Sequence, residues 1–286
     1  MVFLTHFESA QIQAHFERLK AETSGLLDAF LCVHEPAKRI DVEPLAADFR
    51  VSSSDAKTLL PRRYADMQRR GGRIMPGFTD LTAMPALLDK RLSGYAHIWL
   101  VEYDVDFAGP WNVFFAPLAG RKADLITTTL YPRRQCPGWT HWSWFTAPHA
   151  VPLGNQVRSF HPIARFSRRL LKRYVESVGS EAWHGHSEAL YPTVARHCGF
   201  AIEDMGGHGP FTPPSMRGKN YVNRPSVNGD LTEGSFVFRP VRHRAYFHAA
   251  PDRFTMRGRL YHPIKVHDGT SKKPPRDESG EARVPS

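Results

Sequence analysis

The stretch Ala96-His-Ile-Trp-Leu-Val-Glu102-Tyr-Asp104-Val-Asp106 decides how this chain is read. Its first half is a run of apolar residues, as in a strand buried on both faces. Its second half is acidic, as where a strand leaves its sheet. If the segment stays extended to its end, side chains two apart share a face, and Glu102, Asp104 and Asp106 project in one direction. Carboxylates crowded this way repel one another unless a cation sits among them. A magnesium or manganese ion held by one or two of them keeps positions open for diphosphate oxygens. The plain alternative is a solvated acidic strand end. Position favours the ligand, because open α/β sheets bind at the carboxyl ends of their strands.

Upstream, Val2-Phe-Leu-Thr-His-Phe is a short strand, and Ile12, Phe16 and Leu19 recur at helical spacing after it. A second strand, Asp28 to Pro36, completes a β-α-β unit. Residues 38 to 60 are weakly patterned, and a third strand is expected around Arg73 to Pro76, after the basic segment Pro61 to Arg70 and the pair Gly71-Gly72. Downstream, the pattern predicts a helix over Leu81 to Leu92 interrupted at Pro85, and a β-branched strand from Asp124 to Leu130. Two further helices follow, one capped by Ser167 with Leu170, Leu171, Tyr174 and Val178 as its stripe, the other from Ser187 to Cys198. Alternating strands and helices predict an α/β domain with a mixed, mostly parallel, Rossmann-like sheet covered on both faces. Residues 1–205 form this core, and 206–267, rich in proline and glycine, form a loop-rich segment closing over the site. The polar stretch 268–286 is expected to be a disordered tail.

The chain has 286 residues, and its 41% hydrophobic content suits a globular domain of this size. A formal charge of +10 predicts a surface that attracts phosphates, and one suited to peripheral contact with an anionic membrane. Three scattered cysteines, Cys32, Cys136 and Cys198, offer neither a disulfide framework nor zinc spacing. With no export signal and no apolar run long enough to span a bilayer, a cytoplasmic location is expected.

The opening β-α-β unit, the acid-tipped strand and a later helix with a glutamate in its first turn resemble the GT-A-fold glycosyltransferases, which use nucleotide diphosphate sugars. The run Glu102-Tyr-Asp-Val-Asp-Phe-Ala-Gly-Pro-Trp looks more specifically like a poorly characterised bacterial and fungal group of them. The resemblance implies transfer of a sugar from a UDP- or GDP-sugar to a carbohydrate or glycolipid acceptor, with Mn2+ or Mg2+ as cofactor. In that family an Asp-x-Asp motif holds the metal, which places Asp104 and Asp106 as ligands, with Glu102 assisting. Thr5 and His6, at the end of the first strand, fall where such enzymes receive the nucleotide base. His262 in Arg259-Leu-Tyr-His-Pro-Ile-Lys265 is similar to a late histidine returning to the metal, with Lys265 near the diphosphate.

Trp183-His-Gly-His-Ser-Glu188 supplies the remaining chemistry. Glu188 can deprotonate an acceptor hydroxyl, and His184 or His186 can contact the acceptor or the phosphates. Ser187 as a cap and Glu188 at the positive end of the helix dipole are the structural alternative. Trp139-Thr-His-Trp-Ser-Trp144 can pack a core or stack on sugar faces. Arg133 and Arg134 can meet an anion or lie in a solvated loop.

Two other classes compete. The basic helix Arg168 to Arg173 would suit a nucleic-acid-binding protein, but no helix-turn-helix, zinc or RNA-binding motif accompanies it, and no nucleic-acid partner is expected. His184 and His186 with the acidic run would suit another metal-dependent phosphate-handling enzyme. The phosphate-binding glycine motifs of P-loop and dinucleotide enzymes are absent.

Overall fold

The computed structural model describes residues 1–72, 77–180, 182–238, 246–247 and 256–265. The sequence-predicted strand at 73–76 and the tail at 268–286 lie outside them. β1 (Val2–Ser9) leads into α1 (Ala10–Glu22), then β2 (Phe30–Ile40), β3 (Phe49–Val51), α2 (Ser53–Leu59), α3 (Pro61–Arg69) and α4 (Thr79–Leu87). β4 (His97–Glu102), β5 (Asp106–Phe107), α5 (Trp111–Ala119), β6 (Leu125–Pro132) and β7 (Val157–Ser167) follow. Next come α6 (Arg168–Val178), α7 (Ser187–His197) and β8 (Ile202–Asp204). The remaining strands are β9 (Asn223–Pro225), β10 (Leu231–Gly234), β11 (Tyr246–Phe247), β12 (Leu260–Tyr261) and β13 (Ile264–Lys265).

Among the described residues a seven-stranded sheet runs in the order β3-β2-β1-β4-β7-β6-β8. β3, β2, β1 and β4 are mutually parallel, β7 is antiparallel to β4 and β6, and β8 is parallel to β6. The architecture is α/β, mostly parallel and compatible with a Rossmann-like fold. Alternate residues of the central strands feed opposite cores, as period-two side chains must. Val2, Leu4, Ile98 and Leu100 pack with α4, α6 and α7, whereas Phe3, Trp99 and Val101 pack with α1 and α5. The helix starts are fixed locally. The Ser9 hydroxyl accepts the amide of Ile12, Ser52 and Asp55 form a capping box, and Ser167 accepts the amide of Leu170.

Several expectations are corrected. The third strand lies at Phe49–Val51, inside the stretch expected to be unpatterned. The strand β7 was not foreseen at all, and every one of its residues is buried. The predicted Leu81–Leu92 helix is instead α4, with Pro85 inside it, followed by a short 3-10 turn at Lys90–Leu92. The cap of α7 is His186 rather than Ser187. No described helix is long and apolar enough to cross a membrane.

Candidate functional site

A cleft of about 530 Å³ opens at the carboxyl ends of β1 and β4, where the strand order reverses direction. β1 contributes Leu4, Thr5 and His6, and the end of β4 contributes Glu102, Tyr103 and Asp104. His161 of β7 and the start of α7, with His186 and Glu188, line it further, and His262 and Phe238 come from the C-terminal segment. Seven residues singled out from the sequence therefore share one cavity: Thr5, His6, Glu102, Asp104, His186, Glu188 and His262.

The acidic run does not stay extended. β4 ends at Glu102, and a turn follows in which the Val105 amide donates to the Glu102 carbonyl at 3.0 Å. His15 of α1 holds that turn, its Nε2 bonding the Val105 carbonyl at 2.9 Å. Burial drives the pKa of His15 down to about 3, so the ring is neutral and the Nε2 proton makes that bond. The turn breaks the two-residue alternation, which corrects the expectation of three carboxylates on one face. Asp106 is buried in β5, ion-paired with Arg18 of α1, and also accepts the Phe107 amide at 2.6 Å. It is not among the grouped ligand atoms.

The group that does converge is Glu102, Asp104 and His262, each offering one ligand atom within 4.8 Å of the others. The His262 Nδ1–H donates to the Val237 carbonyl at 2.7 Å, which leaves the Nε2 lone pair turned toward Asp104, 3.5 Å from its Oδ1. A backbone carbonyl fixing the second ring nitrogen is what a metal-binding imidazole requires. Two carboxylates and an imidazole so arranged fit a divalent cation without selecting one. Asp104 is also held from behind, because its carbonyl accepts the Ile264 amide at 2.8 Å.

Glu188 stands elsewhere on the wall of the cleft. Burial pushes its carboxyl up to about 7, although the Arg158 guanidinium opposes the shift. A carboxyl poised there changes charge near neutral pH, as a general base does. Thr5 turns its hydroxyl back on the strand, donating to the Phe7 carbonyl at 2.7 Å and accepting the Phe7 amide at 2.9 Å. His6 is exposed, its ring edge-on to Tyr103 with centroids 5.0 Å apart. The backbone of Lys265 lies in β13, but its side chain falls outside the described residues.

The paired histidines part company at Gly185. Its φ of 144° and the Phe145 ring, 2.8 Å from where a Cβ would sit, require glycine there. His186 enters the cleft, while His184 bonds Asp66 at 2.5 Å on the far side of the wall. Trp139 and Trp142 are buried in the core, and Trp144 is half-buried beneath the Arg70 guanidinium, 4.0 Å from its ring centre. Arg133 bonds the Gln156 side chain at 2.8 Å. On the basic helix, Arg168 donates to the Leu92 and Tyr95 carbonyls and Arg169 grips Asp124 at 2.6 and 2.7 Å.

Several residues of the cleft wall escaped sequence reasoning, among them His34, Thr79, His161 and Phe238. His161 sits in the unforeseen strand β7, where its Nε2 meets the Thr79 hydroxyl at 3.0 Å. Phe238 lies in Ser235-Phe-Val-Phe-Arg239, which the sequence marks as a short extended piece without marking it as part of a site. Compared with protein-family models and with characterised proteins, the chain matches none.

Proposed function

We propose that the protein is a metal-assisted glycosyltransferase of the GT-A type, moving a sugar from a nucleotide diphosphate donor to an acceptor hydroxyl. The observation that carries this reading is the convergence of Glu102, Asp104 and His262 in a cleft that also holds the neutral-range carboxyl of Glu188. Glu102, Asp104 and His262 would hold a manganese or magnesium ion, which neutralises charge gathering on a departing diphosphate. Thr5 and His6 border the end of the cleft at β1, where the nucleotide base would lie. Glu188 takes the proton of the acceptor hydroxyl as its oxygen bonds the anomeric carbon. The bond from that carbon to the diphosphate breaks, and the nucleoside diphosphate leaves with the electron pair. This displacement inverts the anomeric centre. The arginines of the basic helix are engaged in the fold at Leu92, Tyr95 and Asp124, which disfavours the nucleic-acid alternative.

The test is a thermal-shift screen of UDP- and GDP-sugars with and without manganese, since a ligand bound only by the folded state raises the melting temperature. At least one donor should stabilise the protein in a manganese-dependent way, and Asp104→Asn should abolish that dependence and the transfer. Manganese-dependent binding that survives Asp104→Asn refutes the assignment.

A further inference from the structure

The reaction above leaves unused the buried histidine at the head of α7. His186 is only 3% exposed. Its Nδ1 accepts the Glu188 amide at 3.2 Å, so that nitrogen carries no proton. The rings of His141, Trp139 and Trp144 surround it, with centroids at 4.0, 5.7 and 6.0 Å. Burial, followed by the neighbouring histidines, holds its pKa well below the usual histidine range. A neutral imidazole whose Nδ1 is an acceptor bears its proton on Nε2. That Nε2 is buried with no hydrogen-bond partner among the described residues, although the residue lines the cleft. Buried donors are nearly always satisfied, so an orphan of this kind calls for a partner from outside the chain.

The seat of this ring is built rather than incidental. Arg63, wholly buried, bonds both oxygens of Asp80 at 2.8 and 3.0 Å. Its other contacts are the carbonyls of Gly185 at 2.9 Å and Gly77 at 3.1 Å. The Ser187 amide also donates to the Gly77 carbonyl, at 2.9 Å. The residues on either side of His186 are thus pinned to one turn. Gly77 backs against the imidazole so closely that a Cβ would lie 2.9 Å from its Cδ2.

We infer that His186 Nε2–H donates a hydrogen bond to a hydroxyl oxygen of an uncharged, hydroxyl-bearing ligand, the acceptor of the transfer proposed above. Naming that ligand the acceptor rests on the transferase reading; the donor role of the nitrogen does not. The carboxyl of Glu188 decides between hydroxyl and phosphate, for it lines the same cleft, with its Oε2 3.7 Å from the Nδ1 side of the ring. A donor and an acceptor lining one cleft match a hydroxyl, which both gives and accepts a hydrogen bond. A phosphate oxygen only accepts, and would face a like charge.

The test uses the full chain labelled with 15N at histidine, titrated with methyl glycosides of glucose, mannose and galactose, and separately with manganese pyrophosphate. The His186 resonances, assigned by their loss in His186→Asn, should show the Nε2–H tautomer and should move with at least one glycoside but not with pyrophosphate. Asparagine keeps an acceptor for the Glu188 amide, so His186→Asn should fold. It should weaken glycoside affinity roughly three- to tenfold, as for one neutral hydrogen bond, and leave manganese pyrophosphate binding unchanged. If His186→Asn does not fold, His186→Ser, whose hydroxyl also accepts the Glu188 amide, supplies the assignment and the affinity comparison. An Nδ1–H tautomer, a resonance that no glycoside moves, or unaltered glycoside affinity in the folded variant overturns the assignment. Sugar nucleotides that fail to stabilise the protein would defeat the transferase reading while leaving this titration standing.

Discussion

Replacing Glu188 with glutamine should stabilise the protein, and should do so only above the acid range. The Glu188 carboxyl is lifted from an ordinary value of 4.5 to about 7 by burial. The folded protein therefore holds this proton more tightly than the unfolded chain does. As pH rises from 4.5 to 7 the unfolded chain releases it first, so stability falls through that window and the full cost is present above it. At roughly 1.4 kcal/mol per pH unit, the separation between 4.5 and about 7 amounts to about 3 kcal/mol. A glutamine amide resembles the neutral acid in shape and has no charge to bury, so Glu188→Gln escapes that cost. Urea unfolding of both proteins at about pH 4 and about pH 8 measures the difference directly. The variant should be close to the parent in acid and more stable by about 3 kcal/mol in alkali. Turnover should collapse in the same variant, and in the parent should climb toward a plateau above pH 7 as the base ionises. A stability difference that is the same at both pH values would mean that the carboxyl titrates normally, and the case for Glu188 as a tuned base would fall.

Other perturbations probe the site and its support. Arg63→Met leaves Asp80 buried without its ion-pair partner and frees the Gly185 carbonyl, so denaturant unfolding should register a loss of about 3 to 5 kcal/mol. Asp106→Asn should lower the melting temperature by weakening the pair with Arg18, yet manganese titration should give the parent affinity; loss of manganese binding would return Asp106 to the ligand set. His262→Ala removes the nitrogen donor, and manganese affinity by calorimetry should drop by more than about tenfold.

The end of β4 was legible because the apolar run marks a buried strand and the carboxylates mark where it leaves the sheet. What could not be read was the turn after Glu102. It is set by His15 and Arg18, residues of α1 some ninety positions earlier whose partners no local pattern announces. That is why Asp104 sits with the ligand group while Asp106 pairs with Arg18. The strand β7 was hidden for a different reason. Arg158, Ser159, His161, Pro162 and Arg165 make it look like a loop, yet many of their polar atoms find tertiary partners, as when Arg165 donates to the carbonyls of Leu118, Arg121 and Ala123. β3 was too short to leave a periodic signal. The cap of α7 was misplaced by one residue because a histidine, not the adjacent serine, turns its side chain onto the helix amides. His262 was reached only through a resemblance, since nothing in its own neighbourhood reveals that Val237 fixes its ring.

The turn bearing Asp104 is stitched to the far end of the chain: Tyr261 pairs with Asp106, Leu260 with Phe107, and the Ile264 amide closes on the Asp104 carbonyl. During synthesis the strands of the seven-stranded sheet emerge before these residues do, so the group of Glu102, Asp104 and His262 is completed last. A chain broken off ahead of Met256 would keep nearly all its architecture and lack one wall of its workplace. Truncated copies would then be folded yet unable to complete the group of Glu102, Asp104 and His262.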